Sequence, residues 1–277
     1  MKNKLSPYLA FTRAGLKTEL AYKAQAVMWI IIDMLEVLMI IFLYGAIYRS
    51  SEGGTSAVIG GFTFNEIIVY MITSFFFSFV LAGDTAYNIY TDVREGTVVN
   101  TLTKPVSYRL KHLFTFFGSQ TFTFCLILLP FLTVSYTVFF LTGMSGGTIL
   151  EVVLRVALFL VFACLAGLIH DAIGYFTGMM VFYTDHLFGL NMVRNTLQGF
   201  LGGRLLPLSF MGTLGVVFSY TPFAFLNSVP VLVLMGKLGG TSALVYLAIA
   251  VGWLALIETA NHCIFARAMR RLTVQGG

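Results

Sequence analysis

The chain has 277 residues, of which 58% are hydrophobic and only 10% charged, and its mean hydropathy is +0.87. Soluble domains carry about 25% charged residues, so a soluble globular fold is excluded and an integral membrane protein is indicated. The net charge of +5 does not point to nucleic acid, because the basic residues gather at the ends of hydrophobic runs, where they fix orientation in a bilayer. Cys125, Cys164 and Cys263 stand far apart in apolar stretches with no CxxC or Cys/His ligand spacing, so they read as small core hydrophobes and no metal site is expected.

The composition predicts an all-α, polytopic protein, with residues 1–277 forming a single transmembrane domain. At its start, the basic run from Met1 to Lys4 is not followed by a short apolar core and a small-residue cleavage site, so no cleaved signal is expected. Ser6 before Pro7 marks a helix start, with Pro7 placed where a missing N–H costs nothing. The following residues, to 23, put Leu9, Leu16 and Leu20 on one face and Arg13, Lys17 and Lys23 elsewhere. Segment 1–23 therefore reads as an interfacial helix on an anionic leaflet, or equally as a solvated extension of the first span.

Six spans are expected. The first covers 25–48 and is followed by a Ser/Gly-rich loop over 50–61. Thr63 with Glu66 is a capping box opening the second span, 66–82. After a polar stretch, the third span covers 113–141 with a kink at Pro130, and 144–147 make a tight turn. The fourth covers 149–169, His170-Asp171 mark a turn, and the fifth covers 173–197. Segment 205–235 is apolar but broken by Pro207, Pro222 and Pro230 and by Gly212 and Gly215, which predicts a re-entrant helical hairpin, not a straight crossing. The sixth span covers 242–265.

Lysine and arginine positions test this layout. Lys2, Lys4, Arg13, Lys17 and Lys23 precede the first span, Arg94, Lys104, Arg109 and Lys111 lie between the second and third, and Arg267, Arg270 and Arg271 follow the sixth. All fall on one side, so both termini are expected in the cytoplasm. A full crossing by 205–235 would put the last cluster outside.

The polar stretch 84–111 is the one long hydrophilic segment between spans. Asp92 and Glu95 stand three apart, Gly96 can end a short helix in the left-handed conformation, and Lys104-Pro105 with Arg109, Lys111 and His112 close the segment. This reads as a short cytoplasmic helix with outward-facing charges, or as a solvated loop anchoring span ends, with 104–111 holding the next span to headgroups. Asp33 and Glu36 share a face of the first span; carboxylates at that depth face a bundle interior or cavity, an ion pair with Arg155, or the lipid interface. Asp185 beside His186, and Glu258 with His262 at i, i+4, bring too few ligands for a metal and read as packing or helix-terminus groups. Phe75, Phe76 and Phe77 are core or lipid-facing. No GxxxxGK[ST] phosphate loop and no GxSxG elbow occurs, so neither ATP hydrolysis by that device nor such a hydrolase is expected of the chain, and it reads as no enzyme.

With this layout, three stretches resemble the membrane permeases of type-2 ABC exporters, in a bacterial six-span subfamily. They are Asp92-Val93-Arg94-Glu95-Gly96-Thr97 with Leu102-Thr103-Lys104-Pro105, then Gly202-Gly203-Arg204-Leu205-Leu206-Pro207 leading to Pro222-Phe223 and Pro230, and the end from Arg271 to Gly277. The resemblance implies that 84–111 carries a coupling helix, with Asp92, Arg94, Glu95, Gly96, Thr97, Lys104 and Pro105 at an ATPase contact. It implies an outer re-entrant gate at Pro207, Pro222, Phe223 and Pro230. It further implies two ABC ATPase subunits that hold ATP and Mg, a second permease, identical or paralogous, and a place in the bacterial cytoplasmic membrane among its lipids. No cofactor is expected on this chain. Asp33, Glu36 and Asp185 are the pathway candidates. The rival is an ion- or proton-coupled secondary transporter using Asp33, Glu36 and Glu258, against which the halves show no internal repeat. An intramembrane hydrolase would need clustered catalytic groups, and the polar pairs are scattered.

Overall fold

The structure, a computed structural model, describes residues 6–125, 148–184 and 186–270. Pro130, the 144–147 turn, Asp185 and the 271–277 end lie outside the described residues. Among those described there is no strand beyond one isolated bridge between Ile59 and Phe62, and the architecture is all-α. The helices are α1 (Ser6–Ala21), α2 (Lys23–Ser50), α3 (Phe64–Val80), α4 (Thr85–Arg94), α5 (Val98–Leu102) and α6 (Tyr108–Thr123). After the gap follow α7 (Ile149–Met179), α8 (Phe188–Leu201), α9 (Thr213–Phe218), α10 (Ser228–Leu234) and α11 (Gly240–Met269).

Four helical stretches among the described residues are long and apolar enough to cross a membrane: Val27–Ser50, Phe64–Arg94, Ile149–Phe182 and Gly240–Met269. The second is interrupted by the turn at 81–84, where α3 gives way to α4. Its start is the capping box: Thr63 Oγ1 accepts from the Glu66 N–H, and the Thr63 N–H donates to Glu66 Oε2 at 2.8 Å. Of the expected third span, 113–141, residues 113–125 are described, most of them in α6.

The fourth and fifth spans differ from expectation. His170 and Asp171 make no turn but sit buried inside α7, which runs unbroken for 31 residues, about 46 Å at 1.5 Å per residue. The reason lies in their partners. His170 Nε2 meets the Gly83 carbonyl at 3.0 Å, and Asp171 is neutralised by Arg109, so neither side chain needs water or a chain reversal. Helix α7 gives way to a short 3-10 turn at Met180–Phe182, and α8 has only 14 residues, about 21 Å.

The segment 205–235 is broken as its prolines require. Pro207 precedes a short 3-10 turn, α9 has 6 residues, Pro222 lies in the connection that leads to a second 3-10 turn, and α10 has 7 with Pro230 in its first turn. Phe225, Val229, Val233 and Leu234 of this region pack with Phe77, Phe159 and Phe162 from α3 and α7, and with Ala250 of α11. A second cluster joins α2, α3 and the 57–62 loop around Tyr44, Tyr48, Phe62 and Tyr70. A third, around Ile89, Val98, Tyr108, Tyr175 and Ile264, ties the polar stretch to α7 and α11.

Helix α1 is packed against α6 through backbone, not through a leucine stripe: Leu9 and Leu20 are about half exposed, while Gly15 is buried. A Cβ at Gly15 would stand 2.4 Å from the Thr115 carbonyl oxygen, and one at Gly118 would stand 2.1 Å from that of Thr12. The two glycines thus permit an approach of the two helices that any side chain would forbid.

Candidate coupling segment and translocation cavity

The stretch 84–111 folds as two short helices joined at Gly96, whose φ of +69° is the left-handed conformation that glycine adopts without strain. Asp84 caps α4 by accepting from the Tyr87 N–H at 3.2 Å, and Ser107 caps α6. Between them the charged residues sort into an inner and an outer set.

The inner set is built on Asp92. Lys111 Nζ lies 2.7 Å from Oδ2, Tyr108 donates to the same oxygen at 3.2 Å, Thr97 donates to Oδ1 at 3.1 Å, and His112 Nε2 lies 3.4 Å away. Burial alone would raise the Asp92 carboxyl, but the adjoining His112 and Lys111 side chains outweigh it and hold the group well below the usual carboxylate range. One turn away, Arg109 stands at the centre of a second network. Its Nη1 pairs with Asp171, its Nη2 lies 2.5 Å from Glu258 Oε1, and its guanidinium covers the Tyr175 ring at 4.8 Å. Asp171, wholly buried, also accepts from the Thr85 hydroxyl at 2.5 Å. Asp84 in turn holds Arg194 at 3.2 Å and accepts from Asn191 Nδ2 at 2.6 Å. Helix α4 is therefore bonded to α6, α7 and α8, and through Arg109 to α11.

The outer set is Arg94, Glu95, Gly96, Lys104 and Pro105, all exposed. Arg94 bonds only back to Tyr90, at 2.5 Å, and Val99 and Leu102 lie exposed among these residues. The result is a small mixed charged and apolar face at one end of a rigidly held helix pair.

Above this segment lies a cavity of about 810 Å³ between α1, α2, the end of α3, α6 and α8. Asp33 and Glu36 line it with Arg204, which lies 3.5 Å from Asp33 and 3.0 Å from Glu36 and stacks over Phe75 at 4.6 Å.

A profile of ABC-2 family transporter proteins matches residues 34–276. The chain belongs to the ABC-2 family. No curated protein matches it beyond that. The family makes the chain an ABC transporter permease, and the apolar helices make it an integral membrane protein. Sequence reading of this ABC-2 permease named Asp92, Arg94, Glu95, Gly96, Thr97, Lys104 and Pro105 as one surface, and the structure divides them. Asp92 and Thr97 turn inward to each other, while the remaining five lie outside. Arg109 and Lys111, read as headgroup anchors, instead neutralise carboxylates inside the ABC-2 fold. The partner of Asp33 and Glu36 is Arg204, not Arg155, which pairs weakly with Glu151 one turn away at 3.7 Å. Pro207 and Pro230 are buried, and Pro222 and Phe223 are half-buried in the turn between α9 and α10.

The residues that sequence reading missed are Arg109, Asp171 and Glu258 as a set, and Arg194 with Asp84. A signal existed: Asp171 and Glu258 stand in apolar runs, where each carboxylate calls for a cation. What the sequence does not give is which cation, since Arg109 is 62 residues from Asp171 and 149 from Glu258.

Proposed function

We propose that the chain is the membrane-spanning permease of an ATP-driven exporter, working with a second permease, identical or paralogous, and with two separate ATPase subunits that hold ATP and Mg. The observation that carries this reading is the exposed face of Arg94, Glu95, Gly96, Lys104 and Pro105 on helices bonded inward to four others. A docking surface on a mobile loop would absorb a push. A surface anchored by Asp92 and Thr85 passes displacement to α6 and α7 as a rigid body, and Arg109 extends that path to α11. ATP-driven closure of the ATPases then tilts the helices around the polar cavity and changes the side to which it opens.

In this reading the protein resides in a bacterial cytoplasmic membrane with both termini and 84–111 in the cytoplasm, and the 205–235 hairpin caps the outer end of the path. Charge reversal at both exposed positions, Arg94→Glu with Glu95→Arg, tests it. Transport-coupled ATPase activity is expected to vanish while membrane insertion and thermal stability stay at wild-type level, because both side chains are exposed and, among the described residues, neither bonds beyond its own helix turn. Undiminished coupling in that variant would remove 84–111 from the ATPase contact. Recovery of the wild-type chain from membranes without any ATPase would favour gradient-driven transport instead.

A further inference from the structure

Among its described lining residues the cavity has more carboxylates than basic side chains: Glu19, Asp33, Glu36 and Asp84 stand against Arg194 and Arg204. Asp84 and Arg194 offset each other at 3.2 Å. Glu36 holds Arg204 at 3.0 Å, so Asp33, 3.5 Å from the same nitrogen, shares a cation already matched. Glu19 has no ion pair among the described residues, and burial raises its carboxyl above the ordinary value.

Asp33 also lines a second space. A cleft of about 210 Å³ lies between α2 and α3, walled by Ile30, Met34, Val37, Phe75 and Phe79, and among the described residues Asp33 is its one ionisable lining group. The two spaces therefore meet at Asp33, and Phe79 also borders both. Asn227, only 3% exposed, also lines the larger cavity, and its Nδ2 donates to Ser78 at 2.6 Å. Carboxylates at this depth are costly unless matched by positive charge.

We propose that this composite pocket binds an amphiphilic organic cation, with the positive centre at Asp33 and the apolar or aromatic body in the α2–α3 cleft. The proposal rests on the permease reading for its meaning, since it names the class of molecule carried. Its site stands on the lining itself. An aromatic-walled cleft with a carboxylate at its mouth favours a large, weakly hydrated cation, which loses little on leaving water and gains both the charge and the ring faces. A neutral lipid tail would fill the cleft and leave Asp33 unmatched, and an anion would be repelled by it.

Tetraphenylphosphonium and tetraphenylborate share size and shape but differ in sign, so together they isolate the charge. The test is equilibrium binding of each to the detergent-purified full chain. With each ion measured in a separate sample, because the two precipitate together, tetraphenylphosphonium is expected to bind saturably and tetraphenylborate far more weakly, Asp33→Asn to weaken the cation by about tenfold or more, and Asp33→Glu to retain it. Equal binding of the two ions to the wild-type chain, or wild-type affinity in a folded Asp33→Asn chain, overturns the proposal. The wild-type comparison decides even where Asp33→Asn does not fold. No ATPase takes part in this measurement, so cation binding by a chain that recruits no ATPase would sink the exporter reading alone. ATPase recruitment by a chain indifferent to the sign of the probe would sink the cation site alone.

Discussion

At the scale of single residues, Arg109 has the heaviest duty among the described side chains. It neutralises Asp171, whose side chain is wholly shielded, and shares its other edge with Glu258, which is 37% exposed and keeps access to water. Removing one partner of a buried pair leaves the other charge uncompensated, a loss of about 3–5 kcal/mol, whereas removing both is often close to neutral. Arg109→Met is therefore expected to lower the thermal unfolding midpoint in detergent far more than Arg94→Met, because Arg94 is exposed and bonds only to Tyr90. Adding Asp171→Asn to Arg109→Met should recover most of that loss, since an amide still accepts from the Thr85 hydroxyl. Equal midpoints for the two single variants would show that Arg109 is solvated in the folded protein.

At the scale of helices, the seat of α4 on α7 is set by small residues. A Cβ on Gly178 would stand 2.8 Å from Ile89 Cδ1 and 3.1 Å from Ala86 Cα, so a large side chain there must lift α4 from its bed. Gly178→Leu is expected to cost about 1–3 kcal/mol by overpacking and, by displacing the exposed face, to lower ATPase recovery in co-purification. Gly189→Leu, on α8 with open space around its Cα, is the matched control. Retention of wild-type recovery by Gly178→Leu would separate docking from the α4–α7 contact. This level also shows what the chain discloses by itself. The Thr63–Glu66 box, the Gly96 stop and the breaks at Pro207, Pro222 and Pro230 are local signals, legible because cause and effect lie within a turn of each other. The unbroken run of α7 was not legible. Two adjacent polar residues in an apolar helix look the same whether they face water at a turn or meet Arg109 and the Gly83 carbonyl inside, and only the tertiary fold separates the cases. The α1–α6 contact escaped for a related reason, since leucine spacing reports an apolar face while the actual contact runs through Gly15 and Gly118.

For the whole molecule, orientation follows from where the unneutralised charges remain. Arg109 and Lys111 are consumed by internal pairs and cannot serve as membrane anchors, which shortens the basic count on the 84–111 side. Arg94 and Lys104 are exposed there, and Arg13 and Lys17 on α1, packed against α6, add to the same side. The loop between α2 and α3 has Arg49 alone at its edge, and Lys237 is engaged by Glu66 at 2.9 Å. The free positive charge therefore still favours 84–111 in the cytoplasm and the 51–63 loop outside. A chain stripped of Cys125, Cys164 and Cys263 and given one new thiol reads this directly. Glu52→Cys is expected to react with a membrane-impermeant maleimide on intact cells, and Lys104→Cys to react only after the membrane is opened, both side chains being exposed. Labelling of Lys104→Cys in intact cells would invert the molecule. It would place the exposed face of 84–111 where no ATP-bearing partner could reach it, and so would overturn the route by which force is proposed to enter.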